Sequence, residues 1–138
     1  MSELSRIGVA IDSDLLEKFD GHIAKRGYTN RSEAFRDLIR DELVQKNWEL
    51  PDSPVVGTVT LVYDHHVRLL NEKLTDLQHD SFHNVLSTLH IHLDHDNCLE
   101  VLVVKGKAAA VKKLADALIS TKGVKHGRLT ITSSGVDL

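Results

Sequence analysis

The sequence predicts an α+β protein in two parts: a strand-helix-helix segment, then a ferredoxin-like βαββαβ domain. Three observations carry this. One alternating segment, SRIGVAID, opens the chain with no other strand-like stretch before residue 48. Two helical patterns follow it directly. From residue 55, alternating and helical stretches succeed one another as strand, helix, strand, strand, helix, strand.

In SRIGVAID, Ile7, Val9 and Ile11 share one face and Arg6, Gly8 and Ala10 the other. A strand without a local partner leaves backbone donors and acceptors unmet, so the expected partner is the same strand of a second chain. SDLLEKFDGHIAKRG reads as a helix with Asp12 or Ser13 as N-cap. Leu15, Leu16, Phe19 and Ile23 fall at helical spacing and Gly27 stops it. In TNRSEAFRDLIRDELVQK, Asn30 with Glu33 three residues later suits a capping box, and Phe35, Leu38, Ile39 and Leu43 form the expected buried stripe. The start of this helix, at Asn30, Arg31 and Ser32, offers free amides and side-chain donors suited to a phosphate.

Both prolines lie in KNWELPDSP, which lacks a period and is rich in turn formers. It sets the expected division: residues 1–47, a linker over 48–54, and a second domain over 55–138. In the second part VVGTVTLVYDH, VLSTLHIHL, CLEVLVVKG and VKHGRLTITSS read as strands. HVRLLNEKLTDLQHD and KAAAVKKLADALISTKG read as helices. The order suits an antiparallel four-stranded sheet with both helices on one face.

The 138 residues carry 17 basic and 20 acidic side chains, a net charge of −3. The chain is therefore no polycation, and any binding to nucleic acid must come from local placement. No apolar run approaches the ~20 residues of a membrane span, and the first residues lack a signal-peptide pattern, so a cytoplasmic protein is expected. The single cysteine cannot form an internal disulfide, and nine histidines, concentrated in the second part, direct attention to metal binding.

The stretch LHIHLDHDNCLEV, residues 89–101, concentrates that chemistry. Placing Leu89, Ile91 and Leu93 on one face with Leu99, Val101 and Val103 pairs Leu93 with Leu99 and Asp94 with Cys98. His95, Asp96 and Asn97 are left as a three-residue loop. His90, His92 and Cys98 then gather on the opposite face, expected to be the one the helices leave free. Same-face neighbours on a strand lie roughly 6.5 to 7 Å apart, so the three donors reach one ion. QHDSFH offers His79 or His83 as a fourth donor. A loop beside the helices does not reach the far face of its own sheet, so that donor is expected from a neighbouring subunit. Imidazoles with a thiolate suit nickel, copper, zinc or cobalt and not magnesium or calcium. No hydrolytic arrangement accompanies them, so a sensor or structural site is expected rather than an enzyme.

RIGVAIDSDLLEKFD, RGYTNRSEAFRDLIR, QHDSFHNVLSTLHIHLDHDNCLEVLVVKG and GVKHG together resemble the NikR family of nickel-responsive transcriptional regulators, over nearly the whole chain. The resemblance implies a ribbon-helix-helix (βαα, intertwined dimer) DNA-binding domain followed by an ACT-like metal-binding and tetramerisation domain. It implies a homotetramer, a dimer of dimers, with one Ni(II) per subunit. By position, His90, His92 and Cys98 of one subunit and His79 of another hold the ion in a square plane. The implied partner is double-stranded operator DNA, with no membrane, and the implied output is repression of nickel uptake genes.

In such proteins the paired strands enter the major groove, which turns Arg6, Gly8 and Ala10 toward the bases. Family members usually carry hydroxyl side chains at the positions of Gly8 and Ala10, so this chain departs there. Arginine donates two hydrogen bonds to guanine, whereas alanine at most touches a thymine methyl. Arg68 stands in a loop whose basic residues the family uses for backbone contacts, with Val67 beside it in place of an expected lysine. Glu33 and Asp37, one helical turn apart, match positions where family members bind a second cation. Acidic and basic side chains nearly balance over residues 1–47, which predicts modest, salt-sensitive attraction to bulk DNA. Two other readings remain: an ACT-domain regulator responding to a small molecule such as an amino acid, and a metal-buffering protein without regulated DNA binding.

Overall fold

The computed structural model describes residues 2–67 and 70–138. The chain divides into two compact units, Met1–Arg40 and Asp41–Leu138.

In the first unit, residues 2–12 carry no regular secondary structure. A strand exists only through its ladder, and a single chain supplies no partner here. Ile7 and Val9 stand exposed. Helix α1 (Ser13–Lys25) starts where the Asp12 carbonyl accepts the Leu16 N–H at 2.9 Å; the Asp12 side chain makes no capping bond. It ends in a Schellman motif. Gly27 takes φ +89, its N–H reaches the Ala24 carbonyl at 3.1 Å, and the Tyr28 N–H reaches the Ile23 carbonyl at 3.0 Å.

Helix α2 (Arg31–Glu49) opens with the Asn30 side-chain oxygen accepting the Glu33 N–H at 2.9 Å. Phe19 and Phe35 stack with centroids 5.1 Å apart, and Ile23 and Ala34 are buried. Leu38, Ile39 and Leu43 were expected in the same buried stripe, yet all three are exposed. Two helices share one line of contact, so the outer part of an apolar stripe has nothing of its own chain to bury against.

The second unit has the expected βαββαβ order: β1 (Pro54–Asp64), α3 (Leu70–Asp80), a 3-10 turn (Phe82–Asn84), β2 (Val85–His92), β3 (Asn97–Lys107), α4 (Ala108–Ile119) and β4 (Val124–Thr132). The sheet order is β2-β3-β1-β4, antiparallel throughout. Alternate residues of β1 (Val55, Val59, Leu61, Tyr63) and β3 (Cys98, Leu102, Val104) are buried in one core with Leu70 and Leu74 of α3 and Val111, Leu114 and Leu118 of α4. Helix α2 runs on to Glu49 and brings Trp48 into this core, where its indole N–H donates to the Thr132 carbonyl at 2.9 Å. Gly57 leaves room for that ring: a Cβ there would lie 3.1 Å from it.

The hairpin departs from expectation in two ways. Ile91 pairs with Leu99 and His92 with Cys98, two residues away from the anticipated register, so the turn spans Leu93 to Asp96. The Asp94 carboxylate is the reason. It accepts the N–H groups of Asp96 (2.9 Å) and Asn97 (2.8 Å) and the Asn97 side-chain amide (3.1 Å), which makes Asp94 a turn residue instead of a strand residue. A shift of two keeps every side chain on its face, so His90, His92 and Cys98 still share one. That face, however, is the one the helices cover. Cys98, Glu100, Leu102 and Val104 are buried, while Leu89, Ile91 and Leu93 of the aliphatic face are 57, 41 and 54% exposed.

Candidate metal centre

Strands β1, β2 and β3 meet at one end of the sheet, where Tyr63 pairs with Cys98 and Cys98 with His92. Cys98 is fully buried, and two imidazoles close on its sulfur. His92 Nδ1 lies 3.3 Å from Sγ, and His65 Nδ1, just past the end of β1, lies 3.4 Å from it. The three donor atoms all lie within 4.8 Å of one another. Burial pushes the Cys98 thiol up from its ordinary value, and the charges of Asp64, Asp94 and Glu100 push it the same way. A neutral thiol between two imidazole nitrogens is a soft and borderline donor set that fits a late transition metal and would release a proton on binding one.

His90 shares the face but not that grouping. Its Nδ1 lies 3.4 Å from the Tyr63 hydroxyl and its ring stands edge-on to Tyr63 at 6.0 Å. The His90 and His92 ring centroids are 5.4 Å apart. The Tyr63 hydroxyl donates to buried Glu100 at 3.0 Å, and burial followed by the Glu100 charge holds the phenol well above the usual tyrosine range. Glu100 also accepts the Gln78 amide at 2.8 Å. His79 follows Gln78 in the last turn of α3 and is exposed, as is His83 beyond it.

The expectation that the donors lie on the sheet face the helices leave free is not met. Since the helices lie on the donor side, steric exclusion by the sheet does not explain a shared site. His65 is the residue the hairpin pattern missed. Its signal lies in the long-range pairing of β1 with β3, which brings the residue after β1 to Cys98 and which local spacing does not carry.

The expected DNA-facing residues Arg6, Gly8 and Ala10 lie exposed in the irregular segment 2–12. Asn30 caps α2. Arg31 makes a bidentate pair with Asp20, at 2.8 and 2.7 Å, so a phosphate there would compete with a carboxylate for the guanidinium. The Ser32 carbonyl accepts from Arg36 at 3.3 Å. Arg68 lies outside the described residues. Glu33 is exposed, and the Asp37 carboxylate takes the Tyr28 hydroxyl at 2.6 Å and Arg40 at 3.5 Å, so a cation at Glu33 and Asp37 would have to displace those donors. No described helix is long and apolar enough to cross a membrane.

Fold and donor set define the class: a ribbon-helix-helix segment joined to an ACT-like α+β domain that carries a cysteine-histidine cluster. The family described as "NikR C terminal nickel binding domain" matches residues 56–132, and "Ribbon-helix-helix protein, copG family" matches residues 5–46. Proteins called "Putative nickel-responsive regulator" are 78% identical in Solibacter usitatus and 62% in Geobacter sulfurreducens, each over 100% of this chain and 99% of the relative. One from Pyrococcus furiosus is 55% identical over 96% of both chains. An uncharacterized protein of Thermotoga maritima shares the fold, with a TM-score of 0.52 and 15% identity over 58% of this chain and 99% of its own. The chain belongs to the NikR family of nickel-responsive regulators.

Proposed function

We infer that this chain is a nickel-responsive DNA-binding regulator that binds double-stranded operator DNA in the cytoplasm and represses nickel uptake genes when Ni(II) is bound. The observation that carries it is the meeting of an imidazole with a buried thiol on the hairpin of a domain matched by a nickel-binding family. Each subunit takes one Ni(II), through His90, His92 and Cys98, with His79 of a neighbouring subunit completing the set. Support comes from the shared face of the three hairpin donors and from the exposure of His79. The family is one of regulators, and this reading assigns no catalysis.

The assembly we propose is a dimer of dimers. Residues 1–47 form the DNA-binding domain, residues 48–54 the linker, anchored at its start by Trp48 in the second unit's core and at its end by Pro54 in β1, and residues 55–138 the metal-binding and tetramerisation domain. Exposed Ile7, Val9, Leu38 and Ile39 favour a second copy against the first unit, and exposed Leu89, Ile91 and Leu93 favour one against the sheet. Arg6, Gly8 and Ala10 would then read bases, and Asn30, Arg31, Ser32 and Arg68 would hold phosphates. Glu33 and Asp37 would offer a second cation site. Metal regulates DNA binding here only as far as it binds one arrangement of the domains more tightly than another.

A second reading has its own support. His65, His92 and Cys98 group within one chain, which favours a three-donor set completed by water. Nickel titration of His79→Ala and His65→Ala separates the two: the shared site predicts the larger loss in His79→Ala, the single-chain site in His65→Ala. A footprint on operator DNA with and without nickel tests regulation, and equal protection in both states would remove it.

A further inference from the structure

We propose that Glu100 and Tyr63 are positioning residues of the metal centre, holding His90 in the tautomer whose Nε2 is free to bind the ion. The inference rests on the reading of His90 as a ligand. The β2–β3 register sets His90 directly opposite Glu100. Glu100 is buried, and its two oxygens are taken separately: Oε2 by the Tyr63 hydroxyl at 3.0 Å and Oε1 by the Gln78 amide at 2.8 Å. Gln78 is held in turn by the Thr88 hydroxyl, which donates to its carbonyl oxygen at 3.2 Å.

The proton count decides the rest. A phenol has one hydrogen to donate, and the carboxylate, which has none to give and is the stronger acceptor, takes it. Toward His90 Nδ1, 3.4 Å away, the Tyr63 oxygen then presents only lone pairs. That contact is attractive when Nδ1 carries the hydrogen. A neutral imidazole protonated on Nδ1 has its free pair on Nε2, and this orienting of a ligand by the bond its other nitrogen makes is the usual support of a metal-binding histidine.

Burial of a carboxylate is costly at a position that serves packing alone. Glu100 lies on the core face beside Leu102 and Val104, yet its partners lead to both ligand-bearing elements. Tyr63 leads to His90 on the hairpin, and Gln78 leads to α3, where the next residue is His79. One carboxylate thereby fixes a ring nitrogen on one element and the end of the helix carrying the other donor.

Long-range proton–nitrogen correlation of the histidine rings in 15N-labelled, metal-free full-length protein, above the imidazole titration range, reads the tautomer directly. The His90 signals are identified by their loss in His90→Gln. The wild type is expected to show hydrogen on His90 Nδ1. Tyr63→Phe should shift His90 toward the Nε2–H form and lower nickel affinity by about 10- to 100-fold. Gln78→Glu, which faces one carboxylate with another, should do the same. Adding Glu100→Gln restores an amide–carboxylate pair and should recover both readouts, which damaged packing would not.

Hydrogen on Nε2 in the wild type would overturn the proposal. So would a Tyr63→Phe protein with tautomer and affinity unchanged, or a double variant that fails to recover. Should Tyr63→Phe not fold, the Gln78 and Glu100 pair decides alone. His90→Gln with unaltered nickel affinity defeats the ligand reading instead, since the tautomer is measured without metal.

Discussion

His92 and Cys98 face each other across the β2–β3 hairpin, paired in register, with the imidazole Nδ1 3.3 Å from a fully buried sulfur. Four expectations follow from this pair and what surrounds it.

The first concerns pH. Burial and then neighbouring carboxylates raise the Cys98 thiol in the folded chain, so the protonated thiol is favoured by folding. The metal-free protein therefore keeps this contribution at pH values below the ordinary thiol range and loses it as pH rises through the raised value. A metal held by Cys98 would take the thiolate, so its binding would release that proton. Above the imidazole range, nickel affinity should rise about tenfold per pH unit until the thiol titrates, and Cys98→Ala should flatten the slope. Isothermal titration in buffers of different ionisation enthalpy checks the proton count.

The second concerns the turn. Three donors converge on Asp94 Oδ1 and lower its carboxyl below the usual range, the Asn97 side chain first, then the backbone of Asn97 and Asp96. Asp94→Ala should weaken nickel binding about tenfold by loosening the register that pairs His92 with Cys98, as loss of an orienting contact does elsewhere. Asp94→Asn keeps an acceptor and should retain most of the affinity. Equal loss in both variants would mean that charge, and not the turn, is what matters.

The third concerns the bare sheet face. A charge at Ile91, whose neighbours Leu89 and Leu93 are also exposed, should block burial of that face against a second copy. Light scattering of Ile91→Asp should give a smaller species than the wild type while circular dichroism stays unchanged. An unchanged mass would place the oligomer contact elsewhere.

The fourth concerns operator reading. Glycine and alanine at positions 8 and 10 offer no side-chain hydrogen bonds to bases. Gly8→Thr with Ala10→Ser should add discrimination of about 1 to 3 kcal/mol per productive contact on operators suited to hydroxyl readers, and leave the salt slope unchanged. Competition binding against mismatched operators measures it. A changed slope with no gain in discrimination would show that these positions face phosphates.

Much of this architecture was legible because periodicity and turn residues carry it. The βαββαβ order, the Gly27 stop and the Asn30 cap all appear where spacing placed them. The hairpin faces were sorted correctly too, since a slip of two residues preserves them. What failed was non-local. Both faces of β3 are apolar, with Leu99, Val101 and Val103 on one side and Leu102 and Val104 on the other, so alternation alone cannot say which meets the helices. His90 and His92 are exposed, while Glu100 on the same face is buried with Tyr63 and Gln78 as its partners. His65 entered the cluster through the pairing of β1 with β3, which no local pattern encodes. Leu38 and Ile39 mark the same limit: helical spacing puts them on the apolar stripe, yet nothing among the described residues of their own chain covers them.

The central claim is that the Cys98 sulfur is a metal ligand, and nickel K-edge X-ray absorption of the loaded protein tests it most directly. The account predicts a sulfur scatterer beside nitrogen in the first shell of wild-type protein, lost in Cys98→Ala. A first shell of nitrogen and oxygen alone in the wild type would contradict it.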